Sequence, residues 1–123
     1  MRDYIAAVDF DGTIVEHRFP EIGPIMPGAK ETLQWMHDQG IKIIIWTCRD
    51  GKYLDEMTWW LALEDIPYDE INNNLPGLGF ETSRKIYADW YIDDRSLLGF
   101  TPWCLVKLML ANDLKRLKRR AAE

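Results

Sequence analysis

Short apolar runs closed by polar residues alternate along this chain with stretches whose apolar positions recur at helical spacing. Tyr4 to Phe10 carries Ile5, Ala6, Ala7 and Val8 and reads as a buried strand, ending in Asp9-Phe10-Asp11-Gly12-Thr13. Ile41 to Trp46, nearly continuous in isoleucine, predicts a second buried strand that runs into Thr47-Cys48-Arg49. Ile66-Pro67-Tyr68-Asp69 marks a short third strand or its approach, and Ala88 to Ile92 a last one ending at Asp93-Asp94. Leu33, Trp35 and Met36 supply the apolar face of a helix opened by Pro27-Gly28 and stopped by Gly40. Leu54, Met57, Thr58, Leu61 and Ala62 predict another from about Gly51 to Glu64, with Asp50 placed to cap it. Thr101-Pro102 has the form of an N-cap followed by proline at the first helical position. The helix it opens runs to about Arg120 on Val106, Leu110 and Leu117. Ile14 to Pro27, with its prolines and acids and no clear period, predicts a loop or small hairpin; Asn72 to Gly79 is turn chemistry throughout.

Buried strands alternating with helices predict an α/β fold: a three-layer, Rossmann-like parallel sheet with helices on both faces. The 123 residues fit a single domain, 1–123, with no repeat or linker. In such sheets the ligand binds outside the carboxyl ends of the strands. Asp9 and Asp11 follow the first strand, Thr47 the second, and Asp93 and Asp94 the last, so all are expected on one edge of the sheet.

Composition narrows the function without naming it. A net charge of −5 argues against non-specific attraction to nucleic acid or acidic membranes. The one basic block, Lys115 to Arg120, is at a helix C-terminus, where cations are favoured anyway. Cys48 and Cys104 show no metal-ligand spacing and read as reduced thiols of a cytoplasmic protein. The first apolar stretch is too short and too acidic for a signal peptide, and no run is long enough to span a bilayer. Six tryptophans are more than a small core needs, which is compatible with a homo-oligomer.

Clustered carboxylates repel one another unless a cation is present. Magnesium takes oxygen ligands, keeps several waters and bridges to substrate phosphate, so converging Asp oxygens suggest Mg2+ rather than zinc. Phosphate held there needs donors, which the Thr47 hydroxyl, loop N–H groups and the Lys85 ammonium can supply. Residues i and i+2 at a strand end point the same way, so Asp9 and Asp11 would face one substrate. One carboxylate can then attack phosphorus while the other exchanges the proton. Gly12 lets the chain turn away with no side chain in the path of the phosphate.

These residues resemble the four motifs of the haloacid dehalogenase superfamily of phosphatases. Asp9-Phe10-Asp11-Gly12-Thr13 looks like the first motif, Thr47 the second, Lys85 the third and Asp93-Asp94 the fourth, in the family's order. The resemblance implies Asp9 as nucleophile and Asp11 as general acid/base, with Thr47 and Lys85 at the transferred phosphoryl group. It implies magnesium on the Asp9 side chain, the Asp11 backbone carbonyl and Asp94, with Asp93 direct or through water. Gly12, Thr13, Cys48 and Arg49 flank these motifs and join the expected substrate-binding set. The gaps from Thr13 to Thr47 and from Thr47 to Lys85 hold core elements, so the resemblance is to the capless branch with an open site. A phosphorylated small molecule, a nucleotide or a macromolecular end would each fit. A phospho-accepting receiver domain uses similar residues but in a different order. A non-catalytic phosphate-binding domain or a phosphotransferase of the same fold would also carry such a residue set.

Overall fold

Branched aliphatic side chains are stiff at χ1 and pack well on a pleated surface, so the Ile and Val runs become strands. The computed structural model describes residues 2–123. In chain order the elements are β1 (Ile5–Val8), α1 (Ala29–Asp38), β2 (Lys42–Ile45), α2 (Gly51–Leu63), β3 (Glu70–Ile71), β4 (Trp90–Ile92) and α3 (Trp103–Ala121). The sheet is parallel throughout, ordered β3-β2-β1-β4, as in a Rossmann-like α/β fold. Ala6 is opposite Ile43 and Trp90, and Val8 opposite Ile45 and Ile92. This register puts Ala6, Val8, Ile43, Ile45 and Ile92 on one face, and Ile5, Ala7 and Ile44 on the other.

The two faces are covered differently. Leu33 and Met36 of α1, Met57 and Leu61 of α2, and Trp103, Val106, Leu110 and Leu114 of α3 all join the cluster on the first face. The second face is closed by Ile86 and Ala88, with Trp46, Leu75, Leu78 and Tyr87 against them. The expectation of helices on both faces is thus corrected: among the described residues all three helices pack on one face. Right-handed crossovers explain the division. The steps from β1 to β2 and from β2 to β3 run in one direction and share a side, whereas the return from β3 to β4 reverses and crosses the opposite side. That return carries Pro76 and two glycines with φ of 83°, Gly77 and Gly79, which keep it from forming a helix.

Side chains lengthen the short strands. Asp69 donates its N–H to the Ile43 carbonyl at 2.7 Å and accepts the Ile43 N–H on Oδ2 at 2.8 Å. Asp89 does the same with Ile5, at 2.7 and 2.8 Å. Beyond β3, the Asn72 amide closes a matching pair with the N–H and carbonyl of Thr47, at 2.8 and 2.9 Å. Ile66 to Asp69 is the approach to β3, which begins at Glu70, and the strand predicted from Ala88 begins later, at Trp90; these carboxylates complete the ladder.

Ile14 to Pro27 does form a hairpin: Val15 bridges Ile25 antiparallel, and Glu16 donates its N–H to the Pro24 carbonyl at 2.9 Å. Gly40 ends α1 as predicted, with φ of 80° and the paired bonds Gly40 N–H to His37 O and Ile41 N–H to Met36 O, each 3.0 Å. Two helix starts differ from expectation. Asp50 occupies the cap position of α2 without a side-chain bond, and α3 begins at Trp103 with Pro102, not Thr101, at its cap. Among the described residues no helix is long and apolar enough to cross a membrane.

The terminus of α2 repeats the geometry of α1 with a residue less suited to it. Asp65 takes φ of 57°, donates to the Ala62 carbonyl, and Ile66 donates to Leu61. A side chain in the left-handed region is strained where glycine is not. Replacing Asp65 by Gly should stabilise the protein by about 0.5–1 kcal/mol in urea unfolding, with unchanged m-value. A loss of stability would show that the Asp65 side chain contributes more than its backbone strain costs.

Candidate active site

The strand order places the point where the chain reverses its direction across the sheet at β1, between β2 and β4. A crevice forms there, beyond the carboxyl ends of the strands. Asp9 leaves β1 with its N–H donated to the Ile92 carbonyl at 2.9 Å, which locks the end of β1 to the end of β4. Asp93 and Asp94 follow β4 directly, so their carboxylates converge on that of Asp9. One oxygen from each of the three lies within 4.8 Å of the others.

Thr13 holds this cluster together. Its buried hydroxyl donates to Asp9 Oδ2 at 3.0 Å and accepts the Asp94 N–H at 3.0 Å. Its carbonyl accepts the indole N–H of Trp103 at 2.8 Å, which fastens the first turn of α3 beneath the site. Gly12, at φ of 87°, passes so close to Asp94 that a Cβ there would overlap the carboxylate. Glycine at this position therefore serves two needs, a left-handed turn and room for an acid.

Crowding has an electrostatic cost. Burial, the Asp93 charge and hydrogen bonding with Asp94 push the Asp9 carboxyl up to about 7, against a smaller opposing effect of the Thr13 hydroxyl. A cation would relieve this repulsion. The donor set is all oxygen and carboxylate-rich, which fits Mg2+ and not a thiolate- or imidazole-seeking metal. Asp9, Asp93 and Asp94 would hold it.

A cavity of about 480 Å³ opens over the cluster. Asp11, Thr47, Cys48 and Arg49 line it beside the three acids, as do His17, Phe19 and Arg95. The structure therefore brings together Asp9, Asp11, Thr47, Cys48, Arg49, Asp93 and Asp94, with Gly12 and Thr13 supporting them from below. The Asp11 carboxylate is outside the acid cluster, in a bidentate pair with Arg49, which leaves its backbone carbonyl as the group the resemblance assigns to a metal. Two placements differ from expectation, those of Arg49 and Lys85. Arg49, expected to bind substrate, has its guanidinium turned to the protein. Nε and Nη2 donate to Asp11 at 2.8 Å each, and further N–H groups reach the carbonyls of Pro20, Glu21 and Tyr53.

Lys85 does not line the cavity: its exposed side chain carries Nζ to 5.1 Å from the Tyr91 ring centroid. Lys85 immediately precedes Ile86, which is buried on the helix-free face, and the return segment leads it there. Arg95 and His17 reach the cavity although the motif pattern did not place them in the expected substrate set. Arg95 directly follows the acid pair, and that adjacency was the available sequence signal. His17 lies beyond the first motif on the hairpin, whose fold over the strand ends no local pattern reveals.

No family model and no curated protein matches the chain. Among solved structures it is similar to that of a conserved protein from Bacteroides thetaiotaomicron. The two share 38% identity and a TM-score of 0.84, over 91% of this chain and 93% of that one. The chain belongs to the same family as that conserved protein.

An acid whose native value is raised destabilises the fold as it ionises, here as pH climbs from about 4 to about 7. Below pH 4 the group is protonated in both states and contributes nothing. In EDTA, Asp9→Asn should therefore melt with wild type near pH 4 and several degrees above it at pH 7. Magnesium should raise the wild-type melting temperature at pH 7 and leave the variant nearly unmoved; equal melts at both pH values would contradict the crowding.

Proposed function

We propose that this member of that family is a magnesium-dependent phosphohydrolase, cleaving a phosphomonoester through an aspartyl-phosphate on Asp9. The observation that carries the reading is the convergence of Asp9, Asp93 and Asp94 at the reversal point of a parallel sheet, with Asp11 and Thr47 lining the same cavity. The motif order, resembling that of the haloacid dehalogenase superfamily, agrees with it.

Magnesium held by the three acids would keep Asp9 ionised and offset the phosphate charge. An Asp9 oxygen attacks phosphorus, the bond from phosphorus to the leaving oxygen breaks, and Asp11, which enters the cycle protonated, gives that oxygen its proton. Asp11 then takes a proton from water as the water oxygen attacks phosphorus. The bond from phosphorus to Asp9 breaks, releasing phosphate and regenerating the carboxylate. The pair with Arg49 leaves each Asp11 oxygen a second lone pair for this exchange. Thr47, whose backbone is fixed on both sides by Asn72, offers its hydroxyl to the phosphoryl oxygens. Lys85 would neutralise the phosphoryl charge by exchanging the Tyr91 ring for the stronger attraction of the anion.

Phosphate release from 4-nitrophenyl phosphate and a panel of nucleotides and sugar phosphates tests this directly. Turnover should require magnesium, stop in EDTA and fall by at least about a thousandfold in Asp9→Asn. Turnover surviving that substitution would remove Asp9 as nucleophile. Lys85→Ala should lower kcat/KM by about tenfold or more; an unchanged value would hand the cationic role to Arg95 at the cavity wall.

A further inference from the structure

The Arg49 side chain is 1% exposed, although it lines the cavity wall. A guanidinium has five N–H donors. Two meet Asp11 at 2.8 Å each, and two reach the Pro20 and Glu21 carbonyls at 3.2 and 3.1 Å. The last points to the Tyr53 carbonyl at 3.5 Å. Phe10 and Phe19 supply ring faces 5.3 and 5.1 Å from the guanidinium carbon. No N–H is left for a phosphate. This arginine instead joins three things: the Asp11 carboxylate, the hairpin through Pro20 and Glu21, and the first turn of α2 through Tyr53.

We propose that Arg49 is the positioning residue for the general acid/base, fixing the Asp11 carboxylate plane and tying the hairpin's seat to it. The proposal rests on the phosphohydrolase reading. A carboxylate rotates easily about χ2 when nothing holds it. The fork of Arg49 stops that rotation through both oxygens and leaves their remaining lone pairs available to the cavity. Lysine has the charge without the fork, so it cannot hold the plane and the hairpin together. An arginine acting in this way influences the proton delivered to the leaving group and the one later taken from water. The phosphate would not feel its loss directly.

Leaving-group dependence separates this role from phosphate binding and from mere packing. An alkyl phosphate needs its departing oxygen protonated; 4-nitrophenyl phosphate does not. In Arg49→Lys and in Asp11→Asn, kcat/KM, which covers the steps through departure of the leaving group, should fall by about a hundredfold on the alkyl ester. On the nitrophenyl ester kcat/KM should stay within about tenfold of wild type, since Asp11 is needed there only for the later attack of water. The double variant should be no slower than Asp11→Asn alone, because the two groups act as a unit. A magnesium-induced rise in melting temperature, carried by Asp9, Asp93 and Asp94, should persist in every variant and report an intact site.

If Arg49→Lys fails to fold, Phe19→Leu loosens one ring over the guanidinium at a half-exposed position. It should slow the alkyl ester about threefold more than the nitrophenyl ester. Equal losses of kcat/KM on both esters, or losses that multiply in the double variant, would overturn the positioning role. Wild-type protein that hydrolyses neither ester with magnesium would overturn the phosphohydrolase reading itself, and the assignment of Arg49 with it.

Discussion

Like charges held close together in a partly buried crevice are the constraint around which this protein is built. Asp9, Asp93 and Asp94 would separate if their backbones were free to move, and burial together with the neighbouring acids pushes the Asp9 carboxyl up. Adjacent parallel strands prevent it. Asp9 is bonded through its N–H to the last residue of β4, so the two acidic strand ends cannot drift apart without breaking the sheet. Thr13 adds a side-chain tie to both acids, and Trp103 fastens Thr13 to α3. Strain at the cluster is thus distributed over two strands, a turn and a helix.

Two aspartates only two residues apart end in opposite surroundings. Asp9 faces other acids and suits a cation or the electrophilic phosphorus of an ester. Asp11 faces Arg49, a buried arginine that holds both of its carboxyl oxygens. Environment, not residue type, distinguishes a nucleophile from a proton carrier in such pairs. The hairpin makes the distinction possible, since the carbonyls of Pro20 and Glu21 help to hold Arg49 in place.

The covering of the sheet is unequal, and this shapes the crevice. Three helices supply the core on one face through residues at helical spacing, while the other is closed by an irregular return between β3 and β4. That return carries Lys85, held away from the cavity on Tyr91. Side chains finish the ladder where strands are short: Asp69 and Asp89 before the outer strands, and Asn72 after β3. In the sequence Asn72 read as turn chemistry and Asp69 and Asp89 as parts of strands or their approach, because a side-chain bond to a distant strand leaves no local mark.

Much of the fold was legible in one dimension. The isoleucine run of β2, the helical spacing of Leu33 and Met36, and Gly40 as a helix stop depend on period and backbone preference, which are local properties. So was the candidate site in outline, since acids placed directly after buried strands must meet once those strands are parallel. Tertiary structure decided the rest. The side of the sheet taken by each crossover, the partner of Asp11 and the resting place of Lys85 depend on how distant parts of the chain pack together. Long, flexible cationic side chains choose among partners that only the folded chain brings within reach. Sequence therefore determined which groups gather at the strand ends, and packing determined which charge each of them faces.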